Sequence, residues 1–340
     1  MTIIEPKVAI LIVNFRRAFD TIECLDSLLH VAEPSFDIFL ADNGSGINEV
    51  AQLSSYAASH IKRIYMIPFP ENYGFSGAHN RLLEKIFQNY SYEFILLLNN
   101  DTVVKPDFLN KMLIKIDKKN NIEMVAARMM KYHQPTLVDN LGITFYKCGL
   151  ASNRKSLDDP LLGPCGGCAL YTTNLLSQIY QSTGEYFDDY FFCYAEDTDL
   201  AWRATLLGYH SAYADDAVIF HKGSISSGGP NSDFVLYYGI RNSLFVLVKN
   251  IPIYFLLKNS IWIVMVHCAI LLRYIMKRKF TIIWYLYRDF FLGIPTMKRK
   301  RSHTMENIRI TPNQVSSRVS NNFYDRTYLR NALKELFLKK

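Results

Sequence analysis

Two acidic clusters, far apart in the chain, hold the residue types that could do chemistry. The first run, FILLLNND at 94–101, is apolar until it stops abruptly at Asn99, Asn100 and Asp101. The second, FDDYFFCYAEDTDLAWRA at 187–204, carries Glu196, Asp197 and Asp199. A buried strand ending in Asp101 delivers a carboxylate to the carboxyl end of a sheet, where open α/β sheets bind ligands. A hard carboxylate there suits Mg²⁺ or Mn²⁺, which commonly take substrate phosphates as further ligands. The second cluster can then supply a general base. Its carboxylates repel one another, which raises a pKa toward the working range. The plainer reading is an acidic first turn stabilised by the helix dipole.

The elements that must position these groups alternate. Val8–Asn14 is a continuous apolar, β-branched run of the kind that forms a strand buried on both faces. Asp20–Leu29 has helical spacing. Phe36–Leu40 is a strand stopped by the turn sequence Asp42-Asn43-Gly44-Ser45. A helix at Ile47–Ser59, a strand at Ile64–Ile67 and a glycine-containing loop leading into a helix through Phe87 precede the strand at Phe94–Leu98. Alternation of this kind predicts a doubly wound, mostly parallel sheet with right-handed crossovers. Beyond Asp101 the pattern gives a helix at Phe108–Ile116, strands at Met124–Met129, Gly166–Thr172 and Ala212–His221, and a helix at Asp197–Leu207. Residues 134–160 read as an irregular polar loop over the site, and 223–230 as a mobile Gly/Ser loop. Domain limits are expected near 1–230 for a catalytic unit, with halves meeting at 101/102. An apolar, basic helical region would follow at 231–303, then a polar tail at 304–340 with a helix near 325–338.

The chain has 340 residues, 49% of them hydrophobic and 14% aromatic, with a formal charge of +7. Part of that excess brackets an aromatic C-terminal segment, with Lys277, Arg278 and Lys279 before it and Lys298, Arg299, Lys300 and Arg301 after it. This pattern points to anionic lipid headgroups and away from nucleic acid. The plainer reading is a solvated basic face. Ile251–Leu272 is the most hydrophobic stretch, but Lys258 interrupts it. Its uncharged part falls short of the ~20 residues that cross a bilayer, so a helix lying on the membrane is expected. The six cysteines suggest no disulfide framework. Cys165-Gly-Gly-Cys168 lacks the second pair or histidines of a zinc site, so a reducing cytosol is expected. The N-terminal run MTIIEPKVAILIVNF reads as a first strand, not a signal peptide.

Residue by residue, the readings sharpen. Asp42, at the end of the second strand, can accept from a pyrimidine N3–H or a ribose hydroxyl; alone it would be a turn-forming aspartate. Asn72, Gly74 and Gly77 let backbone approach a diphosphate, and the following helix N-terminus favours negative charge.

Seven segments, in this order and spacing, resemble family 2 glycosyltransferases, inverting enzymes of the GT-A fold, and within them the rhamnosyltransferase-like branch. They are VAILIVNF at 8–15, ADNGS at 41–45, ENYGFSGAHN at 71–80, LLLNND at 96–101, GGCALY at 166–171, YAEDTDLAWRATLLGY at 194–209 and HKGS at 221–224. The resemblance covers about residues 7–245. It implies nucleotide-sugar contacts from Asn14, Asp42, Asn72, Gly74, Gly77, Asn80 and Asn100. Asp101 would close the family's DxD motif, whose first Asp is here Asn99, so a second metal ligand is wanted. His221 matches the position of a metal-binding histidine in similar enzymes, and imidazole suits Mn²⁺ better than Mg²⁺. Asp197 would be the base, with Glu196 as runner-up. Gly166, Gly167, Asp199, Trp202 and Arg241 would meet the acceptor.

The reaction implied moves a sugar from a nucleoside-diphosphate sugar, dTDP-L-rhamnose first and a UDP-hexose next. The implied acceptor is a lipid-linked glycan at the inner face of a bacterial membrane, in surface-polysaccharide assembly. Two other readings compete. A nucleotidyltransferase would carry a Gly-rich basic loop after the first strand, where this chain has Asn14-Phe15-Arg16-Arg17. A membrane-bound binding module with a degenerate site draws on Asn99 but not on Asp101, Asp197 and His221 together.

Overall fold

The computed structural model describes residues 8–31, 35–60, 64–223, 229, 232–326 and 328–330. In chain order its first half runs β1 (Val8–Asn14), α1 (Ala18–Leu29), β2 (Phe36–Asn43), α2 (Ile47–Ser59), β3 (Ile64–Phe69), α3 (Gly74–Asn89), β4 (Phe94–Leu98), β5 (Thr102–Val104) and α4 (Phe108–Leu113). Then come β6 (Ile122–Lys131), β7 (Gln134–Asn140), β8 (Ile143–Tyr146), β9 (Ala151–Asn153), β10 (Cys168–Thr172), α5 (Thr173–Thr183), α6 (Glu196–Leu206) and β11 (His210–His221). The chain continues through α7 (Asp233–Asn250), α8 (Ile253–Met276), α9 (Phe280–Glu306), α10 (Pro312–Ser317) and β12 (Val319–Ser320).

The main sheet has the order β3-β2-β1-β4-β10-β6-β11-β5, with β7 beside β6. Strands β3, β2, β1 and β4 are parallel, as alternation predicted. The apolar runs of β1 and β4 are buried on both faces because helices cover both sides. β10 is antiparallel to both its neighbours, and its insertion ends the parallel half beside Asp101.

Residues 134–160, expected to be irregular, instead form β7 and a small sheet of order β12-β8-β9. The short run Ile143-Thr-Phe-Tyr146 is buried throughout and supplies that sheet's apolar face. β12 lies within the expected polar tail, and it returns to pair parallel with β8 through Val319 and Phe145. The Gly/Ser loop at 223–230 falls largely outside the described residues, as does most of the helix expected near 325–338.

The interrupted C-terminal apolar stretch is one continuous helix. α8 runs 24 residues and is long and apolar enough to cross a membrane by length and composition alone. Lys258 sits on its exposed side, so the charge breaks the sequence pattern but not the helix.

Candidate active site

A cavity of about 790 Å³ opens at the carboxyl ends of β1, β2 and β4. Asp101, His221, Glu196 and Asp197 all line it, as do Asn72, Gly74, Asn100, Gly166 and Gly167. Residues nearly a hundred positions apart are thus brought to one place by the β4–β10–β6–β11 order.

β11 ends at His221 and β5 begins at Thr102, and these two residues are paired across the sheet. That register sets His221 Nε2 3.3 Å from Asp101 Oδ1. On the other ring edge, His221 Nδ1 lies 2.7 Å from Asp139 Oδ2. Burial pushes the imidazole toward neutrality, but bonds to Asp101 and Asp139 outweigh it and raise the pKa to about 10. Among the described residues no group of three or more His, Cys, Asp and Glu side chains is arranged to hold a metal by itself. A cation here would have Asp101 and His221 as protein ligands and would leave positions for substrate oxygens, as Mg²⁺ and Mn²⁺ sites commonly do. The donor set fits such an ion, and Asp139 stands where a carboxylate orients a ligating imidazole. Sequence reading missed Asp139, because nothing in its local pattern marks it.

The carboxylates of α6 differ in environment. Asp197 Oδ2 accepts from the Gly166 amide at 3.0 Å. Its Oδ1 accepts from the Thr198 amide at 2.6 Å. Burial raises its pKa, and these bonds partly oppose the rise. Glu196 is 6% exposed, and its Oε2 has no hydrogen-bond partner among the described residues. Burial, followed by the charge of Asp197, holds its carboxyl well above the ordinary range. Both carboxyls are thus shifted upward by burial, the side chain of Asp197 with opposing hydrogen bonds.

The segment leading into α6 is strained. Phe192, Tyr194 and Ala195 have φ values of 63°, 67° and 64°. Non-glycine residues in that region cost on the order of 1–3 kcal/mol each. The strained segment abuts the donor-side loop: a Cβ on Gly74, itself at φ +69°, would lie 2.3 Å from the Phe192 carbonyl oxygen.

Asn43 and His79, both cavity-lining, were also missed. Asn43 Nδ2 donates to Asn72 Oδ1 and the Gly74 carbonyl, and its Oδ1 accepts from the Tyr73 amide. It therefore pins the 72–74 turn. Its place beside Asp42 at the end of β2 was the available signal. His79 sits within ENYGFSGAHN, the signal that led to its neighbour Asn80. Burial pushes its pKa down to about 4, and Nδ1 lies 2.8 Å from the Phe75 carbonyl.

Seven residues expected at the site lie outside the cavity lining. Asp42 is fully buried and accepts from Asn14 Nδ2 at 2.7 Å and the Ser45 amide at 3.0 Å. Asn14, also buried, takes the Thr21 hydroxyl on Oδ1. Together they brace the β1–α1 turn. Asn80 bonds both backbone groups of Phe187 and donates to Asp189. Gly77 lies against Tyr73, Arg81 and Asp189. Asp199 and Trp202, expected to meet the acceptor, are fully buried. Asp199 is held by Arg203, Lys249 and Asn250, and Trp202 packs edge-on against Phe145. Arg241 is spent on Tyr190, Tyr237 and Asn242. Amphipathic periodicity could not separate these positions, since a helix buried on nearly every face has no solvent side to reveal.

The parallel half-sheet, the antiparallel insertion and the acidic cavity at the strand ends define a GT-A-type α/β fold with a candidate metal-and-base site. The family model for glycosyl transferase family 2 matches residues 9–180. The chain belongs to glycosyl transferase family 2. Among solved structures it is similar to S. aureus TarS 1–349, at 15% identity and TM-score 0.50, over 72% of this chain and 66% of that one. The same protein in complex with UDP gives 15% identity and TM-score 0.51, over 71% and 64%. GalNAc-T7 with UDP, GalNAc and Mn²⁺ gives 12% identity and TM-score 0.56, over 72% and 48%. The chain therefore spans just under two thirds of the length of the first of these proteins and less of the others. These likenesses concern the fold. No curated protein matches the chain in sequence.

Proposed function

We propose that the chain is an inverting, divalent-metal-dependent glycosyltransferase that takes a nucleoside-diphosphate sugar as donor. One observation carries the reading: Asp101 and His221 meet at 3.3 Å in the same cavity as Asp197. A second observation supports the metal. Among the described residues no lysine or arginine lines the cavity, so a diphosphate bound there has no side-chain cation other than His221 to offset its charge. Mn²⁺ or Mg²⁺ on Asp101 and His221 would neutralise the departing diphosphate.

The chain's own residues have defined work in this reading. Asn43 fixes the 72–74 turn so that backbone lies close to the donor. Gly166 and Thr198 hold Asp197 by its two oxygens. Asp197, as carboxylate, would take the proton of the acceptor hydroxyl as that oxygen bonds to the anomeric carbon. The bond from that carbon to the diphosphate oxygen breaks on the opposite face, and its electron pair leaves with the diphosphate. Glu196, whose carboxyl burial holds well above the ordinary range, lines the same cavity beside it.

The preferred donor is dTDP-L-rhamnose, with a UDP-hexose next, on the resemblance of the sequence segments to the rhamnosyltransferase-like branch. The acceptor is a lipid-linked glycan in bacterial surface-polysaccharide assembly, at the inner face of the membrane. The exposed apolar side chains of α8 and α9 support a lipid surface as partner. They include Leu257, Ile261, Leu272, Trp284 and Phe291. Part of the expected basic bracket has other work, since Lys300 pairs with Asp188 and Arg301 donates to the carbonyls of Val248 and Ile251. The turn at 277–279 is likewise partly engaged, since Lys279 pairs with Asp233 at 2.6 Å. Two helices that meet at such a basic turn fit better lying along the surface than passing that turn through the bilayer.

The deciding assay mixes purified protein, Mn²⁺ or Mg²⁺ and a panel of nucleotide sugars, with membrane extract as the acceptor source, and reads nucleoside-diphosphate release. Metal-dependent turnover of one donor, lost in Asp101→Ala and Asp197→Asn, is expected. No turnover of any donor with extract present, together with no donor binding by calorimetry, would overturn the reading in favour of a non-catalytic module.

A further inference from the structure

Among the described residues the strained segment before α6 has no regular partner strand, yet its carbonyls are accounted for, and most are held by one pair of side chains on α7. Asn242 is fully buried. Its Nδ2 lies 2.8 Å from each of the carbonyl oxygens of Phe191, Cys193 and Tyr194. Two hydrogens serve three acceptors, so one bond is shared. Arg241 Nε donates to Asn242 Oδ1 at 3.0 Å, which fixes the amide with its NH₂ toward the segment. The same guanidinium donates to the Tyr190 carbonyl at 3.1 Å. The remaining carbonyl, of Phe192, turns the other way and accepts from the Ser76 amide at 3.1 Å, in the first turn of α3.

Arg241 is itself locked. Its guanidinium stacks within 5.4 Å of the ring centroids of Tyr237, Tyr238 and Phe245. It also donates to the Tyr237 hydroxyl, which in turn donates to Asp289 on α9. A path of direct contacts thus runs from the C-terminal helices, through Arg241 and Asn242, to the residues that immediately precede Glu196 and Asp197.

We propose that Asn242 is a positioning residue for the carboxylates of α6, with Arg241 as the group that orients it. Positive φ at Phe192, Tyr194 and Ala195 turns the chain so that Glu196 and Asp197 enter the cavity from the first turn of α6. Without the amide on three carbonyls, the segment relaxes toward ordinary backbone angles and carries the carboxylates off their places. The Phe192 carbonyl would move with it, so the first turn of α3 loses its register to α6. This assigns to the C-terminal helices a share in active-site geometry, in place of the acceptor contact expected of Arg241. The catalytic consequence rests on the glycosyltransferase reading above; the structural consequence does not.

The test pairs Asn242→Leu, which keeps the volume and removes both donors, with Arg241→Met, which frees the amide to rotate. Hydrogen exchange by mass spectrometry should show faster exchange confined to residues 192–200 and to the Ser76 amide in the first turn of α3, with β1 to β4 unchanged. Using whichever donor the wild type turns over, kcat should fall 10- to 100-fold while donor KM stays within about threefold, since small misplacement of a reacting group is enough for such a loss. Wild-type exchange at 192–200, or a kcat within twofold of wild type, overturns the proposal. A loss spread evenly over exchange, kcat and KM also overturns it, because that marks general destabilisation. Should the leucine variant not fold, Asn242→Ser retains one shorter donor and is read by the same criteria. If the wild type turns over no donor, the functional reading falls, and exchange at 192–200 alone decides the positioning claim.

Discussion

The Gly166 backbone amide donates to Asp197 Oδ2 at 3.0 Å, joining the turn before β10 to the first turn of α6. A Cβ on Gly166 would meet the Phe75 ring at 2.8 Å, so the glycine is squeezed between the donor-side helix and the proposed base. Asp197→Asn keeps a carbonyl for that amide but cannot accept a proton. We expect kcat to fall by about 10² to 10⁴ with nucleotide affinity near wild type, measured by steady-state kinetics and calorimetry. Gly166→Ala should lower kcat too, by displacing Phe75.

Proton competition at His221 gives a second prediction. Without metal the imidazole bridges Asp101 and Asp139 as a cation, with its pKa raised to about 10. A metal ligand must be neutral, so binding releases a proton. Mn²⁺ affinity should rise about tenfold per pH unit between pH 7 and 9, and the calorimetric enthalpy should vary with buffer. Asp139→Asn should weaken Mn²⁺ binding by about 10- to 100-fold. The metal-free protein carries the opposite sign. The raised pKa contributes stability that is fully present below about 6.5 and lost as pH rises through about 10.

Glu196 makes the protein less stable at neutral pH. Its folded-state pKa is raised well above the ordinary value, so the contribution is complete below the unfolded pKa and disappears as pH rises through the folded one. Glu196→Gln should stabilise the fold at pH 7 by on the order of 1 kcal/mol, as expected when a buried group no longer has to give up its charge on folding. The gain should vanish near pH 4, which thermal melts across pH would show. An unchanged or lowered melting temperature at pH 7 would contradict the account.

Legibility in the sequence followed the period of the pattern. β1 and β4 announce themselves because strands buried on both faces are unbroken apolar runs, and β4 leads directly to Asp101 in the cavity lining. The 134–160 segment was not legible. Its strands are three to seven residues long, and one partner, β12, lies more than 170 positions later. Within α6 the reading found the right helix but could not say which side chains face the cavity. Glu196 and Asp197 do, whereas Asp199 and Trp202 face inward. Asp139 and Asn242 act through contacts that only the fold creates.

The C-terminal helices give a last prediction. Leu257 and Ile261 are 70% and 63% exposed on α8, and Trp284 is 67% exposed on α9. Burial of such side chains in a lipid interface contributes about 1.5–3 kcal/mol each. A Leu257→Ser, Ile261→Ser, Trp284→Ser variant should therefore float with anionic vesicles at least tenfold less than wild type. None of the three substituted residues lines the cavity, so calorimetric affinity for a soluble donor should stay within twofold. High salt should weaken binding of the wild type to anionic vesicles, because attraction between the basic bracket and the headgroups is screened. Equal flotation of wild type and variant would show that this face meets something other than lipid.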